Sequence, residues 1–277
     1  MALLMAGRSR SRRGSLLLVY AALVFVFIYL PVIVLILYSF NRDGVGGFPP
    51  RHLTLAWYRQ LFADAPLWDA VANSLKVAAG SVTLSLTLGL LAALALDRAS
   101  FPGKALFRRL VLLPLILPGI ITGLSLLMFL VFVGAQLSLF TVFLGHGTAL
   151  ISVATTELFA GLQKMDRAQE EASLDLGATP WQTFWRVTVP NLKLSLIAAG
   201  LLIFTLSMDE IAVTFFLTGR DNTLPLEIWG RLRRGITPEI NAVSALILAV
   251  SVALIVIWYR VRTRGLGADA QEFLERP

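Results

Sequence analysis

Two adjacent carboxylates, Asp209 and Glu210, stand between the charge-free run Leu194–Met208 and the apolar Ile211–Leu217. At roughly 1.5 Å of helical rise per residue they lie about 20–25 Å beyond Lys193. An ionisable group carried to membrane depth is costly and defaults to a functional hypothesis. A cation pathway would use such carboxylates, with apolar or aromatic side chains as its walls. Ser207 and Thr214 flank Glu210 at three and four residues, and Thr205 precedes Asp209 by four. Phe204, Phe215, Phe216 and Trp229 supply walls. The competing reading pairs Asp209 or Glu210 with an arginine such as Arg220, as the fastening of an outer gate. Glu157, at the end of another apolar run, reads either as an interhelical or interfacial hydrogen-bonding group or as a transport group.

Other chemistries find no residues. There is no cysteine, which excludes a disulfide scaffold, a zinc–cysteine site, an iron–sulfur centre and a thiolate nucleophile. The only two histidines, His52 and His146, lie on different segments, so a His-based metal site has no support. His146, between Gly145 and Gly147, reads as a hydrogen-bonded structural histidine or as a substrate or proton contact. No phosphate-binding loop, H-E-x-x-H or G-x-S-x-G occurs. The chain is expected to carry no catalytic residue, metal or cofactor and to hydrolyse no ATP by itself.

The elements that must hold these residues follow from where charge is missing. The 277 residues are 57% hydrophobic and 15% charged, with a mean hydropathy of +0.76. Soluble domains run at about 45–50% and about 25%. Charge-free stretches cover Gly14–Asn41, Val77–Leu96, Leu110–Thr156, Leu194–Met208 and Asn241–Tyr259. A helix needs roughly 20 apolar residues to cross about 30 Å of hydrocarbon. Leu110–Thr156 would be about 70 Å long as one helix, so it must cross twice, turning near Gly134–Leu139. Leu194–Met208 completes a crossing only with Asp209, Glu210 and Ile211–Leu217. Long unbroken runs, rather than alternation, argue against a barrel. The expected fold is therefore an all-α membrane protein of six transmembrane helices at about 15–40, 74–96, 109–133, 140–162, 193–216 and 240–260. The domain spans 14–260, between a basic tail 1–13 and a second tail 261–277.

The net charge of +7 is mostly a topology signal. Arg8, Arg10, Arg12 and Arg13, then Arg98, Lys104, Arg108 and Arg109, then Lys164, Arg167, Arg186 and Lys193, then Arg260, Arg262 and Arg264 all fall on one side of a six-span chain. By the positive-inside rule both termini are cytoplasmic. The fifth connection, with Arg220, Arg231, Arg233 and Arg234, breaks the rule. As a helix it would be amphipathic and could lie at the outer interface. Nucleic acid is not an expected partner, because no basic cluster interleaves with stacking aromatics. The apolar start exceeds the usual 7–15 residues of a signal-peptide core and is read as an uncleaved first span.

The connection 163–192 carries local signals. Asp166 and Gln169 have capping-box spacing, as do Thr179 and Gln182, with Pro180 at the first helical position. Glu170 and Glu171 suit a first turn, where the helix dipole favours negative charge. Gly177 suits a left-handed terminus, and Pro190 is expected to break the chain before the fifth span. This predicts two short helices around a tight Gly turn. With Trp181, Phe184 and Trp185 exposed the pair could lie on lipid headgroups; small Ala172 and Ser173 would equally allow a cytosolic partner to approach.

Glu171-Ala172-Ser173, then Gly177, then Val187-Thr188-Val189-Pro190 resembles the EAA signature of ABC-importer permeases. Ser stands for the second Ala, and Val for Ile and for Leu. Asn73-Ser74-Leu75 is also similar to these permeases. Ser207-Met208-Asp209-Glu210, Thr223–Trp229 and Gly235–Ala242 resemble the spermidine/putrescine branch. The resemblance implies the MetI-like permease fold, with 163–192 as a cytoplasmic coupling helix. Glu170, Glu171, Ala172, Ser173, Gly177 and Pro190 would couple to ATP hydrolysis. Asp209, Glu210, Ser207, Thr214, Phe215 and Trp229 would line a substrate pathway or gate. It further implies a second homologous permease, two ATP-binding subunits holding ATP and Mg, an extracytoplasmic binding protein meeting the fifth connection, and the bacterial inner membrane with its lipid. Polyamine import is the expected function. Import of another solute such as iron or a phosphonate, ion-coupled secondary transport and a transport-inactive membrane scaffold stand as alternatives.

Overall fold

The computed structural model describes residues 2–43, 50, 52–235, 237–253 and 256. They form helices α1 (Ala2–Tyr38), α2 (Ala56–Ala63), α3 (Ala65–Arg98), α4 (Lys104–Leu112), α5 (Gly119–Phe132), α6 (Leu139–Gln163), α7 (Ala168–Asp175), α8 (Pro180–Thr183), α9 (Val189–Asp209), α10 (Ala212–Leu217) and α11 (Leu224–Arg234). A further apolar helix, α12, covers Pro238–Ala253. Arg260, Arg262, Arg264 and the tail 261–277 lie outside the described residues.

Residues 65–230 make one compact unit. Its heart is the mutual packing of α3, α6 and α9, with α10 laid against α5 and α6 and α4 against α6. Lipid offers helices no hydrophobic reason to associate, so close approach and interhelical hydrogen bonds must do it. The sequence of α3 provides both. Ser74, Ala78, Ser81, Ser85, Gly89 and Ala92 recur at three and four residues and are all buried. The Ser85 hydroxyl donates to the Gly147 carbonyl at 2.7 Å, and Ser81 to the Phe143 carbonyl at 3.3 Å. A Cβ on Gly89 would overlap that of Ala154 on α6. Apolar clusters close both ends of this contact. Ala93, Leu158, Leu162, Leu192 and Ala199 pack at the end bearing the 163–192 connection. Val77, Val142, Val213 and Leu217 pack at the other.

The described residues up to Asp64 and from Arg231 onward make the second unit. After α1 the chain reverses through a short antiparallel pairing, with Arg42 N donating to His52 O at 2.8 Å and Thr54 N to Phe40 O at 2.7 Å. Trp57 Nε1 donates to Asn41 O at 2.8 Å. Arg231 grips Asp64 with both terminal nitrogens, at 2.5 and 3.1 Å. That fork accounts for one of the arginines that violate the charge rule.

Three expected elements differ in detail. The stretch 109–133 is not one straight helix: Lys104–Leu115 and Gly119–Phe132 meet at 106°. Pro114 and Pro118 lack the N–H a continuing helix needs, and Pro118 takes an extended ψ of 137° as the cap of α5. The stretch 193–216 is interrupted at Glu210, whose ψ of 110° separates α9 from α10. Conversely, Pro190 does not break the chain. A π-helical turn over Phe184–Thr188 joins α8 to α9, and such a turn widens the ladder so that the missing proline N–H is accommodated. By length and composition, four helices in the described residues can cross a membrane, or five with the bent pair; Pro238–Ala253 is shorter.

The α3–α6 contact gives a stability prediction. Gly89→Leu forces bulk into a closed interface, where overpacking costs about 1–3 kcal/mol. A lowered midpoint is expected in a thermal fluorescence scan of the detergent-solubilised protein, whereas Gly230→Leu, with open space around it, should not shift it.

Candidate functional site: the coupling segment and the polar break in α9–α10

The segment 163–192 is mounted on the end of α3. Glu170, in the first turn of α7, accepts from Arg98 of α3 at 2.5 Å and from the hydroxyl of Thr188 in the π turn. A second mount lies beside it. Asp97, whose side chain is only 4% exposed, accepts from Arg167 at 3.1 Å and from Gln163 Nε2 at 2.5 Å. Asn191 donates to Gln169 Oε1 at 2.8 Å and to Val187 O at 2.9 Å, and the Ser173 and Thr183 hydroxyls meet at 3.0 Å. One face of the segment is thus spent on the transmembrane unit.

The other face is open. Glu171, Ala172, Leu174, Leu176 and Gly177 are exposed, with Leu176 at 89%. Gly177 has φ of +88°, the left-handed conformation that ends α7 by the hydrogen bond from Ala178 N to Ser173 O. The Thr179–Gln182 capping box forms in both directions, at 3.3 and 2.9 Å. The Asp166–Gln169 box does not. Asp166 Oδ1 instead accepts from Ala168 N at 3.0 Å, and Gln169 turns away to Asn191. Trp181, Phe184 and Trp185 pack on one another, with centroids 5.2–5.9 Å apart.

The break in α9–α10 gathers the second group of residues, in an arrangement the continuous-helix expectation did not contain. Glu210 turns its carboxylate back to cap α10, accepting from Val213 N at 3.0 Å. The same carboxylate lies beside Gly119, the first residue of α5, so two helix N-termini face one anion, an arrangement the helix dipoles favour. Thr214 Oγ1 donates to the freed Glu210 carbonyl at 2.8 Å. His146 of α6, 1% exposed, bridges Ser207 at 2.9 Å through Nδ1 and Thr214 at 2.9 Å through Nε2. Because the Thr214 hydrogen is committed to Glu210 O, Nε2 must be the donor to Thr214. A ring with one proton then accepts from Ser207 at Nδ1. His146 is therefore the hydrogen-bonded crosspiece of the break.

Phe215 and Trp229 stand edge to face at 5.7 Å. With Ile120, Ile211, Ala212 and Phe216 they line a cavity of about 320 Å³. Asp209, the last residue of α9, is exposed. No ion pair joins Arg220 to Asp209 or Glu210 among the described residues. Instead Arg220 lines a polar niche with Asp69, Asn73, Asp221, Asn222 and Glu227. There Asn73 donates to Asn222 O at 3.2 Å, and Leu224 N donates to Ser74 Oγ at 2.8 Å. Asn73 and Ser74 thus tie the start of α3 to the loop before α11. Glu157 is exposed on α6 and takes no side-chain hydrogen bond or ion pair among the described residues.

A family model described as "Binding-protein-dependent transport system inner membrane component" matches residues 85–266, from the middle of α3 through both groups of residues. The chain belongs to this permease family. It is 36% identical over 255 residues to the putrescine transport system permease protein PotI of Escherichia coli (strain K12), covering 87% of this chain and 89% of that protein. It is 31% identical over 235 residues to the spermidine/putrescine transport system permease protein PotC of Haemophilus influenzae, covering 84% and 91%. Among solved structures, a bacterial ABC transporter for alginate import matches with a TM-score of 0.70 at 18% identity, covering 92% of this chain and 97% of that chain. That level of identity speaks to fold, and the fold is that of an ABC-importer permease in a multi-pass membrane protein.

Within this permease, Glu170 is the residue of the expected set most firmly engaged. Its partners Arg98 and Thr188, and the neighbouring Asp97, were not legible as site residues, although an Asp-Arg pair closing a span hints at a helix-end anchor. His146 had a signal in its flanking glycines: a Cβ at Gly147 would overlap Leu84 and one at Gly145 would overlap Leu217, so α6 is pressed close on both sides.

Two measurements test this geometry. His146→Phe takes the acceptor from the Ser207 hydroxyl and a donor from Thr214, whose own hydrogen stays on Glu210 O; at about 1–3 kcal/mol for a buried group left unpaired, it should lower the thermal midpoint more than His146→Gln does. For the mount, a double-mutant cycle of Arg98→Gln and Glu170→Gln should give a coupling of about 1 kcal/mol by thermal or denaturant unfolding, modest because Arg98 is partly exposed. Strict additivity would separate the two residues.

Proposed function

We propose that this chain is a permease subunit of an ATP-driven importer for polyamines, moving substrate by alternating access. It pairs with a second, homologous permease to enclose the path. Two ATP-binding subunits, which hold the ATP and Mg, take the open face of α7 and α8, and an extracytoplasmic binding protein delivers substrate to the side of α11. The basic amino-terminal and 164–193 segments put both termini in the cytoplasm of a bacterial cell.

The observation that carries the reading is the two-faced segment 163–192. One face is fixed to α3 through Glu170–Arg98 and Asp97–Arg167, and the other presents Glu171, Ala172, Leu174, Leu176 and Gly177 outward. A lever needs such a division: a rigid attachment to the spans and a free surface for the motor. Differential affinity of the ATP-bound motor for one arrangement of the spans then shifts the equilibrium between them. The polyamine assignment is supported by the identity to PotI and PotC. The aromatic cavity of Phe215, Phe216 and Trp229 offers a methylene chain apolar walls, and Asp209 and Glu210 directly precede its lining residue Ile211 in the chain. Because Glu210 is engaged as a cap, Asp209 is the more available of the two for a cation.

The test is uptake of radiolabelled putrescine into proteoliposomes holding this chain, its sister permease, the ATPase and the binding protein. ATP-dependent uptake is expected. Gly177→Pro should leave assembly intact and reduce uptake at least tenfold while ATP hydrolysis continues. Uptake driven by a proton gradient without ATP would instead establish a secondary transporter, and ATP-driven uptake of another solute alone would remove the polyamine assignment.

A further inference from the structure

A further cavity in residues 65–230 is lined by none of the residues of the two groups above. It occupies about 780 Å³ between α4 and the ends of α3 and α6, lined by Leu96, Lys104, Arg108, Arg109, Leu113 and Phe159, among others. That is within the range of ligand clefts, about 300–1,000 Å³. Its lining contains three cations and no carboxylate. Asp97, next in the chain to the lining residue Leu96, is held by Arg167, and Glu170 by Arg98. Lys104 Nζ donates to Ala99 O at 2.8 Å, and Arg108 lies 5.8 Å from the centre of the Phe159 ring. Neither these two nor Arg109 makes an ion pair among the described residues.

The charges and apolar groups are sorted along the cavity. Positions 104, 105, 108, 109 and 112 share one helical face, and the lining runs from Lys104, Arg108 and Arg109 to Leu112, Leu113 and Ile116. Polarity therefore changes along the groove within about 13 Å at helical rise. The 106° bend between α4 and α5 sets the depth. With α5 running into the apolar layer, a helix at 106° to it lies across that layer rather than through it, basic end among headgroups and leucine end toward acyl chains. Leu106, Leu110 and Leu115, outside the lining, are 58–61% exposed, as a helix bedded in lipid requires.

We propose that this groove is a binding site for one anionic phospholipid. The phosphate sits among Lys104, Arg108 and Arg109, and an acyl chain follows Leu112, Leu113 and Ile116 over Phe159. A soluble anion would meet the three charges but leave the apolar half of the groove unfilled. A zwitterionic lipid would fill it but bring a second cation to a site without an acid. Since α4 packs on α6, which leads into 163–192, an occupant there braces the end of the bundle that carries the coupling segment.

The full-length chain, purified in detergent, is titrated with phosphatidylglycerol or phosphatidylcholine of identical acyl chains, and bound lipid is counted by native mass spectrometry. One phosphatidylglycerol is expected to be retained preferentially. Each basic residue near an anionic headgroup contributes roughly fivefold, so Arg108→Gln with Arg109→Gln should lower phosphatidylglycerol affinity about 30-fold with little effect on phosphatidylcholine. Arg108→Lys with Arg109→Lys keeps the charge and should retain most of the preference, which separates loss of the site from loss of fold. Leu113→Gln should weaken the lipid without altering the charge count. Equal retention of the two lipids by the wild type, undiminished retention by the double glutamine variant, or displacement of the lipid by equimolar sn-glycerol 3-phosphate would each overturn the assignment.

Discussion

Inside a bilayer no water is at hand to satisfy a backbone group, so every interruption of a helix must be answered by the protein itself. This constraint orders the whole permease. At Glu210 the ladder stops, and the exposed groups are met at once: the side chain of Glu210 takes Val213 N, Thr214 takes the Glu210 carbonyl, and His146 secures Thr214 and Ser207. At Phe184–Thr188 the ladder widens rather than stops, and Pro190 is absorbed. At Pro114–Pro118 it turns through 106° and lays α4 across the end of the unit. The broken places are also those that carry the candidate pathway, coupling and lipid sites.

Packing follows from the same absence of water. Serines and glycines on α3 are small enough to bring α6 into direct contact and polar enough to hydrogen-bond its carbonyls. Such an interface resists gradual deformation. Helix α7 is tied to α3 through Glu170–Arg98, to the π turn through Glu170–Thr188 and to α9 through Gln169–Asn191. The transmembrane unit is thus held at two elements by one segment.

The cations show how one residue type serves different ends. Arg98 and Arg167 hold segment 163–192, Arg231 forks onto Asp64, and Arg108 rests over an aromatic ring with no ion pair among the described residues. Counted together in the sequence they are one excess of positive charge. Sorted by partner they separate into fasteners and an unneutralised cluster at the lipid-facing groove.

Length, charge-free runs, the Thr179–Gln182 cap, the Gly177 turn and the Glu171–Pro190 motif were legible because each depends on residues close in the chain, where spacing alone fixes geometry. The family follows from them, and so does the all-helical fold. What the sequence could not decide was where a span breaks and what answers the break. Asp209 and Glu210 read as adjacent members of one helix, with Ser207 and Thr214 beside Glu210. The fold ends the helix there and hands Ser207 and Thr214 to His146, a residue 61 and 68 positions away. Glu210, read as a pathway or gate residue, also caps α10, and Asp97, in the sequence only one half of an Asp-Arg pair closing a span, becomes an anchor. Those outcomes depend on which backbone groups are left without partners once α3, α6 and α9 have packed, and only the tertiary structure settles that.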